Sequence, residues 1–142
     1  MTCNYDKKQG MCIDGNFHLV HPYTCEPWTA QSVASFVKEY ASQQEVVLKE
    51  RVESEKCRLV ELVKQRTFQK LTSEYWRVER AQEHLMMAEL GQDNSVIEKA
   101  RSQLNSVLTK RQAWREASDI AEVALQSTNT LESLENFSFD LD

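Results

Sequence analysis

Glycine and proline are confined to one end and one point of this 142-residue chain. Pro22, Pro27, Gly10 and Gly15 lie within the first 27 residues, and the third glycine is Gly91. The run from Trp28 to Leu90 has 63 residues without either type, and the run from Gln92 to Asp142 has 51. Gly and Pro are the strongest local breakers of regular structure, so their absence lets helices run long. The expected fold class is all-α: a long antiparallel helical hairpin, coiled-coil-like, with a small irregular N-terminal head. The expected segments are a head over 1–28, a hairpin over 29–127 with its turn at 91–94, and a flexible acidic tail over 128–142.

Apolar residues recur at helical spacing along the first long run. Val33, Phe36, Val37 and Tyr40 are followed by Val47, Leu48, Val52, Leu59, Leu62 and Val63. Phe68, Leu71, Tyr75, Val78 and Leu85 then keep a 3–4 pattern. Pro27 suits a first helical turn and Thr29 a cap. Fully helical, 29–90 would be about 93 Å long at ~1.5 Å per residue. The weakest stretch is Ala41 to Glu45, where a bend or break is expected. Gly91 fits the left-handed position that ends a helix, and Ser95-Val96-Ile97-Glu98 reads as a capping box.

The second helix is expected from about 95 to 126, with Ile97, Ala100, Leu104, Val107, Trp114, Ala121 and Leu125 on one stripe. Folding back about 92–93 pairs residue i with about 185 − i. Ala100 then meets Leu85, Val107 meets Val78, Trp114 meets Leu71 and Leu125 meets Val60. Both stripes agree under one register. The register leaves Val33, Phe36, Val37, Tyr40, Val47 and Leu48 without an intrachain partner. A stripe of that length is not expected to face water. It is covered by a second copy or a partner helix, or else the first helix breaks near Gln43 and folds back; the first is favoured slightly. The tail mixes acids with Leu134, Phe137, Phe139 and Leu141. It reads equally as a frayed solubilising end or as a peptide that docks those four residues in a partner groove.

Charge narrows the function classes. Residues 29–127 carry 15 Lys/Arg and 15 Asp/Glu, so the helical part is neutral and unlike a general polyanion binder. A local exception is Lys56 to Arg80, with seven bases and three acids. No stretch approaches the ~18 apolar residues of a membrane span. The start of the chain has no basic region followed by an apolar run, so a secretory signal is not expected and an intracellular setting is. In a reducing compartment, Cys3, Cys12, Cys25 and Cys57 favour metal or packing over disulfides.

Cys3-x8-Cys12-x5-His18-x2-His21 has the spacing of metal ligands. It resembles a CCCH-type zinc finger over about 19 residues, with Tyr5, Gly10 and Gly15 where that family often has an aromatic or a glycine. His18 stands where the family has Cys, the last spacing is one residue short, and Cys25 offers an alternative fourth ligand. The resemblance implies a structural Zn2+ and, in the family's manner, single-stranded RNA stacked on Tyr5 and Phe17 with Lys7 and Lys8 on phosphate. Two thiolates and two imidazoles suit tetrahedral zinc, and a segment too poor in apolar residues for its own core could fold on metal. The competing reading packs these residues, with Phe17 and Trp28, against the helix start. The head is net negative, which favours a knob for protein contact over a nucleic-acid site.

The register also gathers Lys70, Arg77, Lys110, Arg111 and Arg115 into one mixed basic patch, although Phe68 and Tyr75 belong to the core stripe. No glycine-rich phosphate loop is present, no Glu-x-x-His pair for a di-iron bundle, and no nucleophile beside a base. His84 lies near Met86 and Met87 at the hairpin tip, and Cys57 is a small packing residue. The expected function is therefore non-enzymatic protein–protein interaction through helical surfaces, as adaptor, scaffold, assembly subunit or inhibitor of a larger complex. A protein partner or homodimer is expected, with no membrane and no small-molecule substrate. The alternative is an RNA- or DNA-binding accessory protein using the head and the 56–80 patch.

Overall fold

Backbone chemistry in the first 18 residues makes a small sheet where an irregular head was expected. The computed structural model describes residues 2–141. Strands β1 (Cys3–Asp6), β2 (Gly10–Ile13) and β3 (Asn16–His18) form an antiparallel meander in that order. Asp6 starts the first turn by accepting from the backbone N–H of Lys8 (2.7 Å) and Gln9 (3.1 Å). Asp14 and Gly15 both have positive φ, 49° and 88°, which is the two-residue hairpin turn that matches strand twist. Gly10 has φ +83°, and a Cβ there would lie 2.2 Å from the His18 carbonyl oxygen, so glycine is required. Runs of three or four residues are too short for alternation to reveal, which is why the sequence reads as loop.

The chain divides into two compact units, one ending at Arg51 and one beginning at Val52. The division falls within helix α1 (Ala30–Ser73). Thr29 opens this helix: its hydroxyl accepts from Ser32 N–H (3.1 Å), and its own N–H donates to the Ser32 hydroxyl (2.9 Å). In the first unit Phe36 is buried, and its ring meets Trp28, His21, Tyr23 and Tyr40 at centroid distances of 5.3 to 6.3 Å. Tyr40 donates its hydroxyl to Asp14 (2.9 Å). The expectation that Phe36 and Tyr40 lack intrachain partners is thus corrected. The head's own aromatics cover them, because His21 to Trp28 brings three rings, His21, Tyr23 and Trp28, onto one face of α1.

No break occurs at Ala41–Glu45; α1 runs through it. The interruption comes at Glu74, between α1 and α2 (Tyr75–Gly91). Two local causes are visible. The Ser73 hydroxyl donates back to the Lys70 carbonyl (3.0 Å), a bond that competes with the helix ladder. The Leu71 carbonyl is taken by the Arg111 guanidinium (2.6 Å). At the hairpin end the left-handed residue is Gln92 (φ 56°), not Gly91, and the cap of α3 (Asn94–Ser127) is Asp93, not Ser95. The Asp93 carboxylate accepts from Ser95 and Val96 N–H, so the helix begins one residue before the expected box.

In the second unit Lys64 pairs with Glu122 (3.5 Å) and Arg101 with Glu89 (3.8 Å), so α3 runs antiparallel to α1 and α2. Among the described residues α2 and α3 are the helix pair whose backbones stay within 8 Å. Small residues permit that approach: Ala81, Ala88 and Ala100 are all buried. The other seam is filled differently. Val52, Leu59 and Val63 of α1 and Ala121 and Leu125 of α3 form a core with Leu134 and Phe139. Leu131, Phe137 and Leu141 pack against it.

The tail was expected either to fray or to dock in a partner's groove; in this structure its apolar residues pack on the chain's own α1 and α3. Thr130 caps a short helix α4 (Leu131–Glu135), and Leu134 is 1% exposed. Burying a Leu or Phe side chain contributes about 1.5–3 kcal/mol each, which offsets the cost of ordering a short segment. Arg66 donates to the Phe139 carbonyl and lies 3.5 Å from Asp140. Acids spaced between apolar residues leave the apolar side free to dock, and the expectation had no way to see that the receiving seam was its own.

A candidate docking groove on α2 and α3

Three adjoining cavities run along the α2–α3 seam. One of about 390 Å3 is lined by Trp76, Arg77, Arg80, His84, Gln103 and Val107, with others. A second of about 390 Å3 continues from His84 and Gln103 to Met87, Val96 and Lys99. A third of about 120 Å3 shares Arg77, Ser106 and Val107 and adds Glu74, Lys110, Arg111 and Trp114. Shared residues make them one open groove. Along α3 from Val96 to Trp114 it extends about 27 Å at ~1.5 Å per residue. Its floor includes Ala81, Ala88 and Ala100, too short to fill the space between the two helices.

The rims are cationic. Arg77, Arg80, Lys99, Lys110 and Arg111 line the groove against one acid, Glu74. Glu74 is already paired with Arg77. Among the described residues, no ion pair engages Arg80, Lys99, Lys110 or Arg111. Arg111 is the unusual member: it is 9% exposed, and it meets the Leu71 carbonyl and the face of Tyr75 (5.7 Å). Burying a guanidinium without a carboxylate costs free energy that a carbonyl and an aromatic face offset in part.

Each aromatic ring near the groove carries a cation. Lys70 and Lys110 lie over Trp114 at 5.3 and 5.6 Å, and Arg77 lies over Trp76 at 5.2 Å. The structure thus brings together Lys70, Arg77, Lys110 and Arg111 of the predicted basic patch. Arg115 lines none of the three cavities. The sequence analysis missed Arg80, Lys99, Gln103, Ser106 and Val107 as groove residues. A usable signal existed: Arg77, Arg80 and His84 follow 3–4 spacing along one edge of α2.

The head residues proposed as ligands do not converge. Among the described residues no three His, Cys, Asp or Glu side chains come together as a metal-holding group. His21 is enclosed by Trp28 (4.9 Å) and Phe36, and its Nδ1 accepts from Tyr23 and Thr24 N–H. His18 is on β3, and its carbonyl accepts from the Trp28 indole (2.8 Å). Cys12 is opposite Asn4 and Phe17 in the sheet, and Cys25 is exposed in a turn with φ 59°. Cys3 Sγ is 3.3 Å from the Met11 sulfur. Burial raises the Cys3 thiol pKa, and Asp14 and Cys12 add to that.

Of the predicted helical interface, Val33 is half-buried, whereas Val37, Val47 and Leu48 are exposed, along with Val46. Tyr5 and Phe17 are exposed on the head at 40% and 56%. No helix is long and apolar enough to cross a membrane among the described residues. Comparison with protein-family models, with curated proteins and with solved structures finds no match to this chain.

Proposed function

We propose that the chain is a non-enzymatic protein–protein interaction module that works through its helical surfaces, with the α2–α3 groove as the receiving site. The observation that carries this reading is the groove itself: an open trough about five turns long, floored by alanines and rimmed by long polar side chains. A partner helix laid into it would bury its apolar stripe against Trp76, Met87, Val96 and Val107, above the buried alanines, the helix-in-groove mode. Exposed Met86 and Leu90 at the hairpin tip extend the apolar surface beyond the groove, and methionine adapts to irregular partners. Val37, Val46, Val47 and Leu48 on α1 offer a second apolar face for a copy or a partner.

One observation favours the alternative of RNA or DNA binding: four cations of the predicted patch meet at one end of the groove. Stacking of bases on aromatic faces would strengthen such a site, but the faces of Trp114, Trp76 and Tyr75 are engaged by the protein's own cations. That leaves backbone electrostatics, in a helical region of balanced charge.

A photo-crosslinking residue at Met87, which is 68% exposed and lines the groove, tests the reading in cells. The same residue at Gln82, exposed on α2 and lining none of the three cavities, serves as control. The expected result is one or a few discrete protein adducts at Met87, suppressed by excess unlabelled chain and absent at Gln82. Adducts to nucleic acid, or equal adducts at both positions, would defeat it.

A further inference from the structure

We infer that the α2–α3 groove takes an acidic amphipathic helix, whose carboxylates meet Arg111, Lys110 and Arg80 while its apolar stripe lies against Trp76, Met87, Val96 and Val107. This deepens the docking reading and rests on it. Three observations carry the acidic class. First, five cations line the groove and its one acid is already paired. Second, Arg111 is nine-tenths buried, lines the cavity beside Lys110, and meets a carbonyl and a ring but no carboxylate among the described residues. A carboxylate arriving there gains a charge-assisted hydrogen bond in a desolvated setting. Third, the chain itself shows what its other helix seam accepts. Between α1 and α3 it buries Leu134 and Phe139 of a segment that also carries Glu132, Glu135 and Asp140, and Arg66 meets Asp140. An acidic-apolar segment laid against two antiparallel helices is therefore a packing this protein already makes.

Nucleic acid is the less favoured occupant because Trp114, Trp76 and Tyr75 each already hold one of the chain's own cations and the helical region is neutral overall. A helix of about five turns matches the 27 Å span, at ~1.5 Å per residue. Carboxylates at i, i+3 or i+4 along its flanks would track the rims.

The full-length chain, immobilised, is panned against a displayed library of randomised peptides of ~18 residues, the length of the groove. The expected consensus has apolar residues at 3–4 spacing flanked by Asp or Glu. A synthetic peptide with that consensus should bind Arg80→Gln/Lys110→Gln about tenfold more weakly than the wild-type chain, since rim and buried charges both contribute. Among the described residues neither side chain makes an ion pair; Lys110 gives up its contact with the Trp114 ring, so the variant should melt only slightly below the wild type. Arg111→Gln should lose more, and a thermal melt separates lost binding from lost folding. A neutral or basic consensus that still blocks the Met87 adduct would overturn the acidic class and leave the docking reading standing. Peptides insensitive to all three substitutions, or no enrichment at all, would overturn the inference, and the Met87 adduct would then judge docking on its own. A single-stranded oligonucleotide that binds tighter than the best peptide, with the same loss in Arg80→Gln/Lys110→Gln, would overturn it in favour of nucleic acid.

Discussion

The two helix seams of the second unit differ in what fills them. Between α1 and α3 the space is occupied by the chain's own C-terminal segment, with Leu134 and Leu125 each 1% exposed. Between α2 and α3 the backbones close to within 8 Å over alanines, and the remaining trough stays open. The filled seam uses large side chains and needs a plug. The open seam uses small ones and has cations along its rims, of which Arg77, Lys110 and Arg111 lie against the chain's own rings. Small residues thus do opposite work from large ones: they stabilise by close approach and leave a surface behind.

The largest expected effect lies in the filled seam. Leu134→Ala removes a fully buried side chain and should cost about 2–5 kcal/mol in urea unfolding, as large-to-small core substitutions do. Met87→Ala, in the open seam, should stay within about 0.5 kcal/mol of wild type because the residue is exposed. Similar losses for the two would erase the distinction between seams. A null result for Leu134→Ala would mean the tail does not stay docked in solution.

Next come the two arginines that bond backbone carbonyls. Arg111→Met keeps the aliphatic stem but leaves the Leu71 carbonyl without its donor, and should cost about 1–3 kcal/mol. If the vacated charge was itself unfavourable in burial, the loss shrinks or reverses, and unfolding curves at two salt concentrations would show which. Arg66→Met acts on an exposed pair with Asp140, whose side chains are 50% and 92% exposed, and should change stability by about 0–1 kcal/mol. A larger cost for Arg66 than for Arg111 would make the tail, and not the groove, the electrostatically organised seam.

Much of this contrast could be anticipated from the chain and some could not. The hairpin was legible because Val78, Ala100 and Leu125 repeat at helical spacing on both sides of one turn. The bend at Glu74 was not, because it depends on Ser73 bonding back to Lys70 and on Arg111 arriving from 40 positions away. The groove was hidden by its own chemistry: Ala100 reads as one more stripe residue and Ala81 and Ala88 as helix filler, and what matters is the volume they fail to occupy. The tail was ambiguous because spaced acids and apolar groups serve both a solvated end and a docked one. In the head, the Cys and His spacing suggested ligands; the aromatic cluster around His21 was not legible, because it depends on Trp28 and Phe36 meeting that ring across a turn.

Acidification should separate the seams with the least perturbation. Arg58 holds the Glu55 carboxyl below its ordinary value of 4.5, chiefly through their hydrogen bond. A carboxylate with a lowered folded pKa contributes stability above the unfolded value and loses it as pH falls through the folded one. Glu55 lies on α1 in the filled seam's half, and its pair with Arg58 is exposed, so the loss in thermal midpoint below about pH 4.5 should be slight. The groove should respond more sharply without losing its fold. An acidic ligand, with Glu near its ordinary pKa of about 4.3, is being neutralised as the pH approaches 4. Peptide affinity measured from pH 7 to pH 4 should therefore fall several-fold across a range where the melt of the chain barely moves. Affinity that tracks the melt would tie binding to global unfolding and remove the groove's cations from the argument; affinity flat with pH would point to the groove's apolar residues alone.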